Sequence, residues 1–193
     1  MAAGIVLLGR TPAFAEDSCK TALTWAQRNR KNLPQTYGDL VAYPLVYRRA
    51  IYGELSAQTR SRMWLAHLEH YRATRPGMNP EQRAVYDRAV AWASSPDHFA
   101  DDNRTATSAE LKRLSRSASE TFGPDGRSAL LGTLGPAETA ESTARPAGGA
   151  CTCTDEDDQC TNATHCQYGQ SGCHMYRGCG AFWQYVCNGL CIN

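Results

Sequence analysis

Eight of the nine cysteines lie within residues 151–193, the cysteine-rich tail, at the spacing Cys-x-Cys-x6-Cys-x5-Cys-x6-Cys-x5-Cys-x7-Cys-x3-Cys. So short a segment buries too little apolar surface to offset the entropy of ordering its backbone, so it needs disulfides or a metal. The chemistry open to these thiols is therefore crosslinking or metal ligation. The residues are Cys151, Cys153, Cys160, Cys166, Cys173, Cys179, Cys187 and Cys191.

The spacing favours four disulfides within the tail over a zinc site. Paired Cys-x2-Cys knuckles are absent, although two histidines lie beside tail cysteines. We expect no essential metal and no cofactor. The pairing stays open, since eight cysteines allow about 105 connectivities. Cys151 and Cys153 should take different partners, because a bridge across one residue strains the disulfide geometry.

The ninth cysteine, Cys19, lies far upstream of the tail. It shares a predicted helix face with Leu23 and Ala26, an environment in which a free cysteine packs as a small apolar residue. Because eight tail cysteines can pair among themselves, we predict that Cys19 is a free, buried thiol. The alternative is a bridge from Cys19 to the tail, which the logarithmic cost of loop closure does not exclude.

No other pattern supports catalysis, and we predict that the protein is not an enzyme. His67 and His70 are three residues apart, whereas a zinc protease helix needs His-Glu-x-x-His, so they are interpreted as solvated histidines. No serine, histidine and acid occur at a recognisable catalytic spacing. Residues 155–158 begin like a calcium loop but lack its glycine and distal glutamate, which favours an exposed loop.

Aromatic residues of the tail are the candidates for target binding. Phe182, Trp183 and Tyr185 fall in a β-prone stretch, with Tyr168 and Tyr176 nearby. In an isolated domain of this size they cannot all be buried. We expect some to form an exposed patch for a partner, an envelope glycan or a lipid interface. The alternative is that the rings cover the disulfides.

The first residues predict export. Residues 1–15 carry a short apolar run and then Ala13-x-Ala15, the small residues that a signal peptidase accepts. The missing basic segment suggests a start codon upstream of Met1. The run is too short to span a bilayer, and we expect no transmembrane segment in the mature chain. A secreted protein fits the cysteine content.

Between the signal sequence and the tail, the pattern is mainly α. Caps at Thr36, Ser56 and Asn79 precede amphipathic stretches, which predicts a small helical bundle over residues 16–122. Residues 123–150 are rich in glycine, proline and alanine, which predicts a flexible linker that leaves room for one helical turn at 128–134. The disulfide module at 151–193 should contain short β-strands. The predicted core anchors of the bundle are Trp25, Trp64 and Trp92.

Charge is distributed unevenly along the chain. Residues 16–122 carry 16 basic and 12 acidic side chains, whereas the tail carries one arginine against four acidic residues. No basic run with interleaved aromatics occurs, so nucleic acid is not an expected partner. We expect a monomer.

Two stretches resemble the bacteriocin fulvocin C-related proteins. The first is residues 25–71, which include Asn32-Leu33-Pro34-Gln35-Thr36-Tyr37 and Tyr43-Pro44-Leu45-Val46-Tyr47-Arg48-Arg49-Ala50-Ile51-Tyr52. The second is the eight-cysteine tail, which resembles the fulvocin C peptide itself, a secreted bacteriocin.

The resemblance implies a secreted precursor whose tail is toxic to related bacteria, with the bacterial cell envelope or a receptor on it as the partner. Two interpretations remain open. In the first, the helical part is a pro-region that keeps the tail soluble or folds it. In the second, the whole chain is a stable extracellular binding or protease-inhibitory protein.

Overall fold

A computed structural model describes residues 19–101, 104–136, 153–160, 164–169 and 175–192. The predicted signal sequence 1–15, residues 137–150 of the predicted linker, and Cys151 and Cys173 lie outside these ranges. The fold is mainly helical with a C-terminal region of short antiparallel strands and disulfides, which confirms the predicted class.

Six α-helices form within the described residues, and three of them begin at the predicted caps. Thr36 and Ser56 each accept a backbone N–H bond from the residue three positions on, and Asn79 forms a capping box with Gln82. The helices are α1 (Cys19–Arg28), α2 (Tyr37–Val41), α3 (Leu45–Glu54), α4 (Ala57–Ala73), α5 (Pro80–Ala93) and α6 (Arg104–Arg127).

The tail contains two short antiparallel pairs. Strand β1 (His165–Tyr168) pairs with β4 (Gly189–Ile192), and β2 (Met175–Cys179) pairs with β3 (Tyr185–Cys187). A 3-10 turn, Ala181–Trp183, joins β2 to β3. The strand predicted to include Phe182 therefore begins only at Tyr185.

The flexible-linker prediction is wrong for residues 123–136. Helix α6 bends at Gly123, where φ is 73°, and continues into a π-helical turn, Ser128–Gly132. Proline suits the first turn of a helix, so Gly123-Pro124 bends the helical path without ending it. Three leucines that follow are fully buried: Leu130, Leu131 and Leu134.

One hydrophobic core contains residues of both the helices and the tail. Trp64 and Trp92 are buried in it as predicted, and Trp25 is half-buried at its edge. Phe182 and Trp183 of the tail have no exposed surface and belong to the same cluster. The tail is thus packed against the helices, whereas the sequence predicted a separate module beyond a linker.

We predict that Trp183→Ala lowers the free energy of unfolding by about 3 to 5 kcal/mol, the usual cost of emptying a buried aromatic site. Tyr176→Ala, at an exposed position of the same tail, should change it by less than about 0.5 kcal/mol. Chemical denaturation of the oxidised proteins measures both values. Equal, small losses would show that Trp183 is not a core residue.

Candidate functional site

The predicted target-binding residues divide into one exposed and three buried side chains. Tyr176 is 65% exposed, but Phe182, Trp183 and Tyr185 are buried, so the exposed-patch prediction is wrong for these three. The prediction considered the tail alone, whereas the helices supply the apolar surface that buries its rings. Tyr168, the other tyrosine near the predicted aromatic stretch, is 64% exposed at the end of β1.

Phe182 and Trp183 are surrounded by aromatic side chains of the helices. The Phe182 ring stacks on Trp92 at 4.5 Å between centroids and meets Trp64 edge to face at 5.0 Å. Trp183 meets Tyr52 edge to face at 5.3 Å. Such pairs contribute about 0.5 to 1.5 kcal/mol beyond their area burial. Two consecutive residues of the tail thus occupy the centre of the helical core.

Hydrogen bonds fix the orientation of these rings. The Trp183 Nε1–H donates to the Gly132 carbonyl at 2.9 Å. The Tyr52 hydroxyl donates to the Phe182 carbonyl at 2.9 Å and accepts from Trp64 Nε1 at 3.1 Å. Burial raises the pKa of Tyr52 far above its ordinary value, which keeps this hydroxyl protonated and able to donate. Tyr52 therefore connects α3 and α4 to the 3-10 turn Ala181–Trp183, the tail turn.

The backbone of the tail turn is strained. Phe182 and Trp183 have φ values of 52° and 54°, in the left-handed region that bulky residues rarely adopt. Each such residue costs about 1 to 3 kcal/mol and persists where the surroundings enforce it. Gly180, with φ of 67°, precedes the turn, and a Cβ there would lie 2.3 Å from the Tyr185 ring. Only glycine fits at this position.

Arg177, the only basic residue of the tail, is buried and contacts the segment before α6. Its Nε donates to Asp101 Oδ1 at 2.8 Å, its Nη2 to the Ala100 carbonyl at 3.0 Å, and its Nη1 to Gln184. Arg60 of α4 also donates to Asp101, at 3.2 Å. Burial alone would raise the pKa of Asp101, but the two arginines outweigh it and lower the pKa. The sequence signal for this contact was that Arg177 is the single arginine of an otherwise acidic tail.

The acidic stretch 155–158 is only partly exposed. Asp157 is buried and accepts hydrogen bonds from Ser115 Oγ at 2.8 Å and from the Ala181 N–H at 2.6 Å. Asp158 accepts backbone N–H bonds from two tail cysteines. The exposed-loop prediction is therefore wrong for Asp157, whose carboxylate joins α6 to the tail turn, while Asp155 and Glu156 are exposed.

Disulfides crosslink the described part of the tail. The sulfurs of Cys153, Cys160 and Cys166 lie within 4.8 Å of one another, a grouping that could hold a metal as free thiolates. All three are engaged in two neighbouring disulfides, so in this oxidised form the cluster crosslinks the chain. The bridges are Cys153–Cys166, Cys160–Cys191 and Cys179–Cys187.

Cys19 is buried and disulfide-bonded, so the free-thiol prediction is wrong. Six tail cysteines pair with each other, which leaves Cys151 and Cys173 in the sequence as possible partners. The packing gives a physical reason: α1 packs against α3, and α3 packs against β2, so Cys19 lies on a helix that is one layer away from the tail. The fold brings together segments that the sequence separates by over a hundred residues.

His67 of α4 is buried beside the π-helical turn, so the prediction that it is solvated is wrong. His70 is exposed, as predicted. The Nε2 of His67 lies 3.0 Å from the Ala129 carbonyl, and its Nδ1 accepts from the Gly135 N–H at 3.5 Å. Burial lowers the pKa of His67 to about 4. The neutral ring therefore holds residues 129–135 against α4.

Comparison with protein-family models, with curated proteins and with solved structures gives no match to this chain. Among the described residues, no helix has the length and apolar character needed to cross a bilayer. The disulfides of the tail are consistent with an oxidising, extracellular setting.

We predict that acid destabilises the protein through His67. The unfolded chain binds a proton at this histidine below pH 6.5, but the folded chain does so only near pH 4. Stability should therefore fall by about 3 kcal/mol as the pH drops through this window and be unaffected by this group above it. His67→Gln should remove this part of the slope, and His70→Gln should keep it. Identical slopes for wild type and His67→Gln, from denaturation at several pH values, would contradict the assignment.

We also predict that alkylation of the denatured, unreduced protein leaves Cys19 unlabelled. Peptide mapping should join its peptide to one containing Cys151 or Cys173. In Cys19→Ser, one of those two cysteines should become labelled instead. A label on wild-type Cys19 would contradict the bridge.

Proposed function

We propose that the chain is an exported bacteriocin-like protein in which the cysteine-rich tail is the target-binding part and the helical region, residues 19–136, covers its aromatic face. One observation carries this proposal: Phe182 and Trp183 are fully buried among helical aromatics in a strained turn. A disulfide-rich segment with such a face would expose it in water if it were separated from the helices. The resemblance to fulvocin C-related proteins supports the toxic role.

The acidic charge of the tail supports recognition of the target through aromatic side chains or through a specific receptor. The tail has Arg177 as its single basic residue against four acidic ones, and Arg177 is itself buried. Attraction of the tail to an anionic membrane by charge would need the opposite balance. Contact with the target therefore depends on apolar and aromatic surface, or on a specific receptor in the cell envelope.

A second candidate is a stable extracellular binding protein that acts as an intact chain. The disulfide of Cys19 favours it, because six tail cysteines are paired among themselves and a further crosslink holds α1. The contacts of Arg177 with Asp101 and Ala100 also hold the tail in place. In this form the exposed tyrosines Tyr168 and Tyr176 are the candidate contact residues.

One experiment tests the proposal and separates it from the alternative. The purified oxidised chain is added to bacteria related to the producer, growth is measured, and cell-bound material is analysed by mass under non-reducing conditions. We expect growth inhibition by a chain that has been cleaved between the helical region and the tail, with the tail bound to the cells and joined only to the peptide that carries Cys19. Inhibition or binding by the intact chain alone would support the second candidate, and neither binding nor inhibition would contradict both.

Variants of the exposed tyrosines distinguish the intact chain from a released tail as the active form. We predict that the double variant Tyr168→Ala/Tyr176→Ala weakens cell binding at least about tenfold if the intact chain is the active form, because exposed aromatic anchors dominate such contacts. A released tail also presents Phe182 and Trp183, so its binding should fall less. Val186→Ala, a partly buried position in β3, serves as the control for tail folding.

A further inference from the structure

A charged groove lies where α4 ends and α5 begins, with a volume of about 770 Å³. Five charged side chains line it: Glu69, Arg72, Arg75, Arg83 and Asp87. No described residue of the tail contributes to its lining. This groove is therefore separate from the aromatic contact that holds the tail.

The charged side chains of the groove are not neutralised by salt bridges with one another. In the part of the chain that the structure describes, no salt bridge joins Arg72 or Arg83 to Glu69 or Asp87. Arg75 is oriented by an aromatic neighbour: its guanidinium lies 4.4 Å from the centre of the Tyr71 ring, and its Nη1 donates to the Tyr71 hydroxyl at 2.5 Å. Arg72 and Arg83 therefore line the groove with N–H donors that no salt bridge occupies.

Tyr86 forms one wall of the groove. Its side chain is buried, and its hydroxyl donates to the Leu68 carbonyl at 3.2 Å. Burial raises the pKa of this hydroxyl, and the charges of Arg72, Asp87 and Glu69 also act on it. Groups of both signs from two helices therefore surround the same wall of the groove.

We propose that this groove binds a phosphorylated glycan, with the arginines holding the phosphate and the two carboxylates accepting hydrogen bonds from sugar hydroxyls. Guanidinium groups donate parallel N–H bonds to phosphate oxygens, which makes arginine the usual residue for such groups. Ionised carboxylates only accept, so they suit hydroxyl donors and repel additional anions. A polyanion without hydroxyl groups would be repelled by the two carboxylates. A neutral glycan would offer the arginines no phosphate to bind.

This inference goes beyond the proposed function, since it gives the helical region a ligand of its own. Residues 16–122 carry the excess of basic side chains, whereas the tail is acidic. Attraction to an anionic surface would therefore come from the helices. The tail would then act after the helical region has bound.

Binding to phosphomannan, neutral mannan and polyphosphate tests the proposal with the full oxidised chain. We expect phosphomannan to bind more tightly than the other two polymers. Arg72→Gln/Arg83→Gln should weaken phosphomannan binding about tenfold or more, because charge-assisted hydrogen bonds are lost. The control Arg62→Gln/Arg88→Gln makes the same charge change on the same two helices outside the groove, and should change affinity by less than about twofold.

Substitution of the two acidic residues of the groove gives a second test of the proposal. Glu69→Gln/Asp87→Asn should weaken phosphomannan binding but strengthen polyphosphate binding, since the hydroxyl acceptors and the repulsion disappear together. Equal losses in the arginine variant and its control would overturn the proposal, because they would show only non-specific attraction. Stronger binding of both polymers by the acidic variant would overturn it too. Neither outcome depends on growth inhibition, so the test is independent of the proposed function.

Discussion

The insertion of Phe182 and Trp183 into the helical core is the contact on which the rest of the structure depends. The two rings pack against Trp64, Trp92 and Tyr52. Large aromatic side chains of the tail and of the helices therefore belong to one hydrophobic core. Burying two such side chains contributes several kcal/mol, a large share of the stability of an ordinary domain. That gain offsets the cost of holding both residues at positive φ.

Polar contacts then select one orientation of the tail. Tyr52 donates to the Phe182 carbonyl, Ser115 of α6 donates to Asp157, and Arg177 donates to Asp101. Tyr52, Asp157 and Arg177 are buried, where an unpaired polar group would cost about 1 to 3 kcal/mol. A shifted tail would break several of them together. The helical region therefore acts as a specific cover for the aromatic face.

Local features of the fold were predictable from the sequence because their causes are local. Thr36, Ser56 and Asn79 cap helices through atoms within three residues, and the crowding of cysteines in the tail predicts crosslinks without a template. Long-range packing was not predictable in the same way. Nothing near Trp183 in the sequence indicates that the helices bury it.

Several of the wrong predictions share one cause, since they assumed that the tail folds by itself. Cys19 was expected to be free because eight tail cysteines can pair among themselves, yet it is disulfide-bonded. Leu130, Leu131 and Leu134 were assigned to a linker because their neighbours are small and flexible, yet the combined core buries them. Of the tail aromatics expected to form an exposed patch, Tyr168 and Tyr176 are exposed, whereas the combined core buries the other three.

Native-state hydrogen exchange of the intact, oxidised chain tests most directly whether tail and helices form one cooperative unit. The slowest amides of β2 and β3 should exchange with the same opening free energy as those of α4, and both should respond equally to denaturant, because one global unfolding exposes them. If the tail amides exchanged at a separate, lower free energy while α4 stayed protected, the tail would be an independent module, and its aromatic residues would not form the common core.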